Sequence, residues 1–282
     1  MIKTKNMIVE WKNTTHLITI GVFLVVAVLM GLILKRQDKE KQRKILLILA
    51  FVNLALHFLK LLIPEYREGL PTTFRKVTFE NICATTTIMM PFIMLSKSKV
   101  MKDYLFYIGI LGGLAAIVYP TEAFGRALSE LDVIRFYICH MLLFIIPFYM
   151  VLFGMHDLEI KRVPYFPLIF LVIECLILAN EVILMEAGYV DFRGDVDFLQ
   201  YNYRNSNFIF GPTEEFQELS DKIIDPLVPD MFKTVQAGAH EGKTKYIPVL
   251  WMLVPCFIYF NVIAGAICLL FTKVIKKGSS SF

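Results

Sequence analysis

The stretch FENICATTTIMMPFIMLSKSK, residues 79–99, is an apolar run with Cys83 near its start, a proline in its middle and lysines after it. A second stretch, RFYICHMLLFIIPFYMV at residues 135–151, repeats this layout with His140 in place of the cysteine. Apolar runs of this length are typical of helices that cross a membrane. The rest of the chain is interpreted around these two segments.

The composition of the chain predicts a polytopic helical membrane protein. The 282 residues are 56% hydrophobic and only 19% charged, and the charges fall in short polar segments between long apolar ones. The net charge is +4, and the basic residues lie beside apolar runs, so they indicate membrane topology and no nucleic-acid partner. We therefore expect an all-α membrane bundle that forms a single integral domain over residues 1–282.

About seven apolar segments are long enough, or nearly long enough, to cross the bilayer core, which takes ~20 residues. They lie at residues 17–34, 45–63, 79–95, 104–120, 134–153, 164–187 and 247–272. Lysines and arginines are more numerous in the loops on one side of this arrangement, with six of them in the 35–44 loop alone. This bias places the N-terminus outside and the C-terminus inside a cell membrane.

The loop at residues 188–246 is the only large extramembrane segment predicted, and it is acidic. A helix start at residues 212–215 and a stop at Pro226 enclose a short amphipathic helix. Its apolar face consists of Phe216, Leu219, Ile223 and Ile224. This helix is expected either to lie on the outer membrane surface or to cap the bundle.

The five cysteines all lie in apolar segments and show no spacing typical of a metal site or a disulfide framework. We therefore predict no metal and no cofactor. In the fourth segment, Gly109 and Gly113 form a pair of small residues four apart that allows close helix packing. The pair is interpreted as packing within the chain, with a homodimer through the fourth span as the alternative.

Polar side chains of four predicted spans fall at one depth, about 6–10 Å below the outer boundary at ~1.5 Å per residue. They are His57, Cys83, His140 and the neighbours Asn180 and Glu181. Such groups are costly inside a membrane and are candidates for a functional site. Each also has an ordinary interpretation, since a buried cysteine is usually a small apolar residue and a buried histidine often only packs.

These residue types would suit nucleophilic catalysis on a lipid ester. A thiol attacks an ester as the thiolate, and a neighbouring histidine can take its proton. The histidine needs a third group to fix its tautomer, for which Asn180 or Glu181 is the candidate. His57 or Asn81 would help to hold the oxyanion. The spacing alone leaves this hypothesis open.

The two opening stretches, together with LILAN at residues 176–180 and NFIFGP at 207–212, resemble the YwaF and transmembrane protein 164 family of integral membrane proteins. The resemblance covers residues 20–270 and is strongest over 70–151. Animal members of that family are described as phospholipid acyltransferases that use a Cys and a His within the membrane. By position, the resemblance implies Cys83 as nucleophile, His140 as base and membrane lipids as partners.

Two functional hypotheses of different classes therefore stand. The first is a lipid acyltransferase or lipid-ester hydrolase with an intramembrane Cys–His site. The second is a non-enzymatic transporter or sensor that binds a small solute or a proton at His57, Glu174 and Glu181. A scaffold without any site is the third interpretation.

Overall fold

The structure is a computed structural model and describes residues 7–189, 208–212, 216–235, 242 and 244–279. It divides into two compact units. The first unit comprises residues 1–70 and 86–158, and the second comprises residues 71–85 and 159–282. Cys83 thus belongs to the second unit and His140 to the first.

The helices of the first unit account for most of its length. They are α1 (Thr14–Lys35), α2 (Lys39–Phe58), α3 (Pro64–Glu68), the larger part of α4 (Ile82–Leu95), α5 (Lys99–Ile108), a π-helical stretch (Gly109–Leu114), α6 (Ala115–Val118) and α7 (Leu131–Leu152). Short 3-10 helices follow α2 and α6, at Leu59–Leu62 and Thr121–Ala123.

The second unit contains the start of α4 and the C-terminal helices. They are α8 (Tyr165–Glu186), α9 (Gln217–Ile223) and α10 (Leu253–Ser279), with 3-10 helices at Thr72–Val77, Ile160–Arg162, Asp225–Leu227, Asp230–Phe232 and Leu250–Met252. A two-stranded antiparallel hairpin, β1 (Lys233–Val235) and β2 (Thr244–Tyr246), pairs Lys233 with Tyr246. The sequence did not predict these strands.

The predicted all-α polytopic membrane bundle is confirmed. Among the described residues, six segments are long and apolar enough to cross a membrane: Thr14–Lys35, Lys39–Leu62, Lys99–Ala123, Leu131–Leu152, Ile160–Glu186 and Leu250–Lys273. The predicted third span corresponds to α4, which has only 14 residues. At ~1.5 Å per residue, α4 is shorter than the ~30 Å hydrocarbon core.

Polar side chains just before the apolar runs set where helices begin. The side chain of Asn13 accepts a hydrogen bond from the backbone N–H of His16 at the start of α1. Asp38 accepts from Lys41 at the start of α2, and Ser98 accepts from Met101 at the start of α5. These bonds satisfy N–H groups that have no partner within the helix.

Gly109 and Gly113 lie against the backbone of α7 within the same unit. A β-carbon at Gly109 would lie 2.7 Å from the carbonyl oxygen of Leu143, and one at Gly113 would lie 3.0 Å from the backbone nitrogen of Phe144. The small-residue face of the fourth predicted span is thus occupied by a helix of the same chain. A homodimer through that span would need a different face.

Helices α4 and α7 both continue through an internal proline, Pro91 and Pro147 respectively. Proline removes one backbone hydrogen bond, which membrane helices tolerate when neighbouring groups compensate. Gly109 also approaches this region of α7, since a β-carbon there would lie 2.7 Å from Cγ of Pro147. The proline and the glycine therefore fit together at one helix contact.

The amphipathic helix predicted in the long loop is α9, although the predicted start at residues 213–215 lies outside the described residues. Leu219 and Ile223, on its apolar face, are exposed, whereas Ser220 is buried. The hydroxyl of Tyr259 in α10 donates a hydrogen bond to the carbonyl of Ile223. These apolar side chains are therefore exposed beside a candidate membrane span, and the position of α9 on the membrane surface stays a prediction.

We predict that Gly109→Leu and Gly113→Leu each lower the thermal stability of the protein in detergent. A leucine would overlap the α7 backbone, and overpacking of this kind typically costs ~1–3 kcal/mol. The matched control is Gly21→Leu in α1, because a β-carbon at Gly21 meets nothing within 4 Å. Equal melting temperatures for all three variants would contradict the close packing of the π-helical stretch on α7.

Candidate functional site

Cys83 lies in the first turn of α4, and its neighbour Asn81 caps that helix. The Asn81 side-chain oxygen accepts a hydrogen bond from the Ala84 backbone N–H at 2.8 Å, and its backbone carbonyl accepts one from Thr85 at 2.9 Å. Cys83 is reduced and partly buried. Cys83 therefore lies at the N-terminal end of α4, the end of a helix that carries partial positive charge.

Glu80, three residues before Cys83, is a buried carboxylate that sequence reasoning missed. It forms ion pairs with Lys76 at 2.6 Å and Arg75 at 3.5 Å. Because its side chain is only 3% exposed, removal of either cation would leave a poorly solvated charge. The ion pairs therefore hold the segment that leads into α4.

Asn180 also holds this segment, within the same unit. Its side-chain amide donates a hydrogen bond to the Thr78 hydroxyl at 3.0 Å, and the Thr78 hydroxyl donates to the Arg75 carbonyl at 2.7 Å. The structure thus links Asn180 on α8 to the side chain of Thr78, five residues before Cys83. The contact of Asn180 is therefore with the segment that leads to Cys83.

Two further predicted residues, Glu174 and Glu181, lie on α8 and are buried. Glu174 is 0% exposed and lies close enough to Cys256 of α10 for an electrostatic interaction. The two carboxyl groups are seven residues apart, so they follow one stripe of the helix. They belong to the second unit, as Cys83 does.

His140 lies in α7 of the first unit and is partly buried. Its Nδ1 lies 2.9 Å from the carbonyl oxygen of Phe136, one turn earlier. A carbonyl can only accept, so Nδ1 carries the proton and Nε2 of the neutral ring has the lone pair. The backbone of α7 thus fixes the tautomer that a general base needs, with Nε2 as the basic nitrogen.

A charge network at the start of α7 centres on the carboxylate of Asp132. Asp132 accepts hydrogen bonds from the Tyr66 hydroxyl at 2.8 Å, from Arg126 at 2.7 Å and from Arg135 at 2.8 Å. Arg126 also pairs with Glu130 at 2.8 Å. The buried Arg135 is thereby neutralised within the first unit.

This network reaches the residues beside His140. The Arg135 guanidinium lies 3.8 Å from the sulfur of Cys139, so Cys139 faces the network. The charges of Glu122, Arg135 and Lys60 all act on His140. His140 therefore follows the charged first turns of α7, which contain Asp132 and Arg135, and precedes the apolar second half of the helix.

Three residues of the network that lie outside the spans have shifted pKa values. Burial, and then the Asp132 carboxylate, raise the pKa of Tyr66. Hydrogen bonds to Asp132 and Glu130 outweigh desolvation and raise the pKa of Arg126. A backbone hydrogen bond from Ala127, followed by the Arg126 hydrogen bond, lowers the pKa of Glu130.

Helix α2 contributes a polar stripe to the first unit. Asn53 and His57 are both buried, and the His57 ring meets the Phe58 ring edge-on at 5.4 Å. The sequence singled out His57 and missed Asn53. The signal was present, since an asparagine inside an apolar run one turn before a histidine presents two polar groups on one helix face.

The structure therefore places the predicted site residues in two groups. Within the second unit it links Asn180 to the segment that holds Asn81 and Cys83, and it buries Glu174 and Glu181. Within the first unit, the charges of Glu122, Arg135 and Lys60 act on His140. Among the described residues, no group of three or more His, Cys, Asp or Glu side chains could hold a metal ion.

We predict that the Glu130 contribution to stability is lost in acid. Because its pKa is lowered by folding, this contribution is present above the ordinary glutamate pKa and disappears as pH falls through the lower, folded value. The melting temperature of Glu130→Gln should lie below that of the wild type at about pH 6, and the difference should disappear as the pH falls below the ordinary glutamate range.

The control for this prediction is Glu68→Gln, which changes an exposed glutamate of α3. The difference in melting temperature between Glu68→Gln and the wild type should be the same at every pH from about 6 downwards. A constant gap between Glu130→Gln and the wild type at every pH would show that the Glu130 carboxylate does not stabilise the fold through its charge.

Comparison with known proteins identifies a family. The model of the TMEM164 family matches residues 11–216 of the chain, which include both Cys83 and His140. A search of curated proteins found no match, and neither did a search of solved structures. The match covers well over half of the 282 residues, and the chain is a multi-pass membrane protein that belongs to the TMEM164 family.

Proposed function

We propose that the protein is a lipid acyltransferase or lipid-ester hydrolase with Cys83 as nucleophile and His140 as general base and acid. The observation that carries this proposal is the His140 tautomer. Its Nδ1–H donates to the Phe136 carbonyl, so Nε2 is available to take a proton. Family membership and the position of Cys83 at the start of α4 add support.

The chemistry follows the usual course of covalent acyl transfer. Nε2 of His140 takes the Cys83 proton, and the thiolate adds to the ester carbonyl of a membrane lipid. The carbon–oxygen bond breaks, the leaving alcohol receives the proton from His140, and a thioester remains on Cys83. A second hydroxyl then gives its proton to His140 and attacks the thioester, and Cys83 leaves as the thiolate and recovers the proton.

The other predicted site residues, together with Glu80, would have supporting roles in this cycle. Asn180 and Glu80 would position Cys83 through the segment before α4, because both are bonded to that segment. The predicted oxyanion roles of His57 and Asn81, and the orienting role of Glu181, remain parts of the proposal. The substrates would be membrane lipids, since the candidate residues lie in apolar helices.

We expect Cys83→Ala and His140→Ala to abolish covalent labelling by a lipid-like ester probe, with the protein reconstituted in lipid. Loss of a nucleophile or its base usually lowers turnover at least ~100-fold. The measurement is mass spectrometry of the labelled cysteine. The matched controls are Cys139→Ala and Cys175→Ala, which remove the cysteine beside His140 and an exposed cysteine of the second unit.

Both controls should keep wild-type labelling by the ester probe. A folded Cys83→Ala protein that turns over lipid esters at the wild-type rate would rule out the proposed nucleophile. Full labelling in His140→Ala would assign the base to another residue.

A transporter or sensor is the second candidate, and the buried Glu174 favours it. A carboxyl group that is 0% exposed in a candidate span is a plausible proton or solute site. Under this reading, a small solute would stabilise the wild type thermally, Glu174→Gln or Glu181→Gln would remove the effect, and Cys83→Ala would leave it unchanged. If Cys83→Ala removed the stabilisation by the solute and the two glutamate variants kept it, the enzyme hypothesis would be favoured.

A further inference from the structure

Helices α2 and α7 run antiparallel in the first unit. Lys39 at the start of α2 donates a hydrogen bond to the carbonyl of Phe153, just after the end of α7. At the other end, Tyr66, beyond α2, donates to Asp132 near the start of α7. The depth of a residue on α2 can therefore be matched to a residue on α7.

This register places Asn53 at the depth of His140. Both helices rise ~1.5 Å per residue, so equal numbers of residues from the Lys39–Phe153 contact lead to equal depths. Fourteen residues along α2 reach Asn53, and fourteen residues back from Phe153 reach Cys139, the neighbour of His140. Helix α7 packs on α2 over this region, and the charge of Lys60, two turns beyond Asn53, acts on both Cys139 and His140.

The Asn53 side chain is fully buried, with 0% exposure. Neither its Nδ2 nor its Oδ1 makes a hydrogen bond in the part of the chain that the structure describes. Buried polar groups are nearly always paired, because an unpaired one costs stability. A buried amide whose NH2 group and oxygen both lack a hydrogen-bond partner indicates that a polar molecule binds there.

The amide chemistry restricts that molecule to a group that both donates and accepts. A hydroxyl has one donor and two acceptor lone pairs, so it can bond to the Asn53 oxygen and amide together. A hydroxyl is also what the second half of the proposed reaction consumes. Water and a lipid alcohol are its two sources, and they correspond to hydrolysis and to acyl transfer.

We propose that Asn53 binds the acceptor hydroxyl that His140 deprotonates. This inference rests on the proposed function and adds a substrate site to it. Asn53 orients the hydroxyl, its proton passes to Nε2 of His140, and its oxygen attacks the thioester carbonyl. The carbon–sulfur bond breaks, and the thiolate of Cys83 recovers the proton from His140.

The test measures formation and decay of the acyl-enzyme separately in the Asn53→Leu variant. The full-length protein is placed in lipid nanodiscs, and p-nitrophenyl palmitate is the acyl donor. Release of p-nitrophenol reports formation of the acyl-enzyme, and mass spectrometry follows its decay in water alone or with added monooleoylglycerol. The matched control is Asn261→Leu, which changes another intramembrane asparagine, on α10 of the second unit, that has one open side-chain oxygen.

We expect acylation of Asn53→Leu within about twofold of the wild type and decay of the acyl-enzyme slowed about tenfold or more, because an oriented acceptor is lost. Slower decay in water alone would identify a hydrolytic site, and slower decay only with monooleoylglycerol would identify a lipid-alcohol site. The proposal would be overturned if Asn53→Leu slowed formation and decay of the acyl-enzyme equally, or if it slowed neither step.

Thermal unfolding gives a readout that does not depend on catalysis. Without added alcohol, the melting temperature of Asn53→Leu should not fall, because the amide has no protein partner to lose. For a lipid-alcohol site, monooleoylglycerol should raise the melting temperature of the wild type and of Asn261→Leu but not of Asn53→Leu, while methyl oleate, which lacks a hydroxyl, should raise none of them. For a hydrolytic site, neither lipid should raise any of the three melting temperatures.

A fall in the melting temperature of Asn53→Leu, repeated in Asn53→Ala, would show a structural amide and overturn the proposal. An equal rise with monooleoylglycerol in Asn53→Leu and the wild type would do so as well. If the wild type forms no acyl-enzyme but its alcohol-dependent stabilisation disappears in Asn53→Leu, the proposed function fails while the hydroxyl site stands.

Discussion

The constraint on which this structure depends is that hydrocarbon offers no hydrogen-bond partner. A polar side chain in a spanning helix must find its partner in the protein or bind one from outside. The Asp132 carboxylate shows the first solution, since Tyr66, Arg126 and Arg135 all donate to it. These bonds allow Arg135 in the first turns of α7 and Arg126 just before the helix to lie beside one carboxylate, where a single buried charge would be unstable.

Helix α7 satisfies a second requirement, which is close packing without a hydrophobic driving force between helices. The π-helical stretch lies directly on its backbone, because Gly109 and Gly113 have no side chains to hold the helices apart. Tight contact along α7 in turn fixes the rotation of the helix and the direction of its side chains. His140 is therefore presented by a helix that is closely packed at Leu143 and Phe144, one turn away, as the proposed base would require.

The spans were predictable because the pattern behind them is simple. Long apolar runs predicted the helices, and the observed ends differ mainly where polar residues extend a helix beyond the membrane. The second span starts at Lys39 rather than residue 45 for this reason, since Asp38 caps a polar first turn. The hairpin of the long loop was not predictable, because its strands have only three residues each and depend on contacts such as that between Tyr246 and Asp225.

The residue types of the candidate site could be proposed from the sequence, but the hydrogen-bond partners of those residues could not. Cysteine and histidine stand out in an apolar run, but the sequence does not show which atom faces which. Asn180 was expected to orient a histidine, yet its amide donates to Thr78, and the backbone of Phe136 holds the His140 ring instead. Glu80 was overlooked because it stands at the edge of an apolar run, where a charge looks like an ordinary boundary.

Asn53 differs from the buried polar groups that are paired within the protein. Asp103 and His156 are both buried and lie 2.7 Å apart, so each satisfies the other and their role in the fold is explained. Asn53 is buried as deeply but is open at both polar atoms. If that amide served only packing, a leucine would fill its place at lower cost. An asparagine at this position is therefore best explained by a molecule that binds to it, at the depth where His140 presents its basic nitrogen.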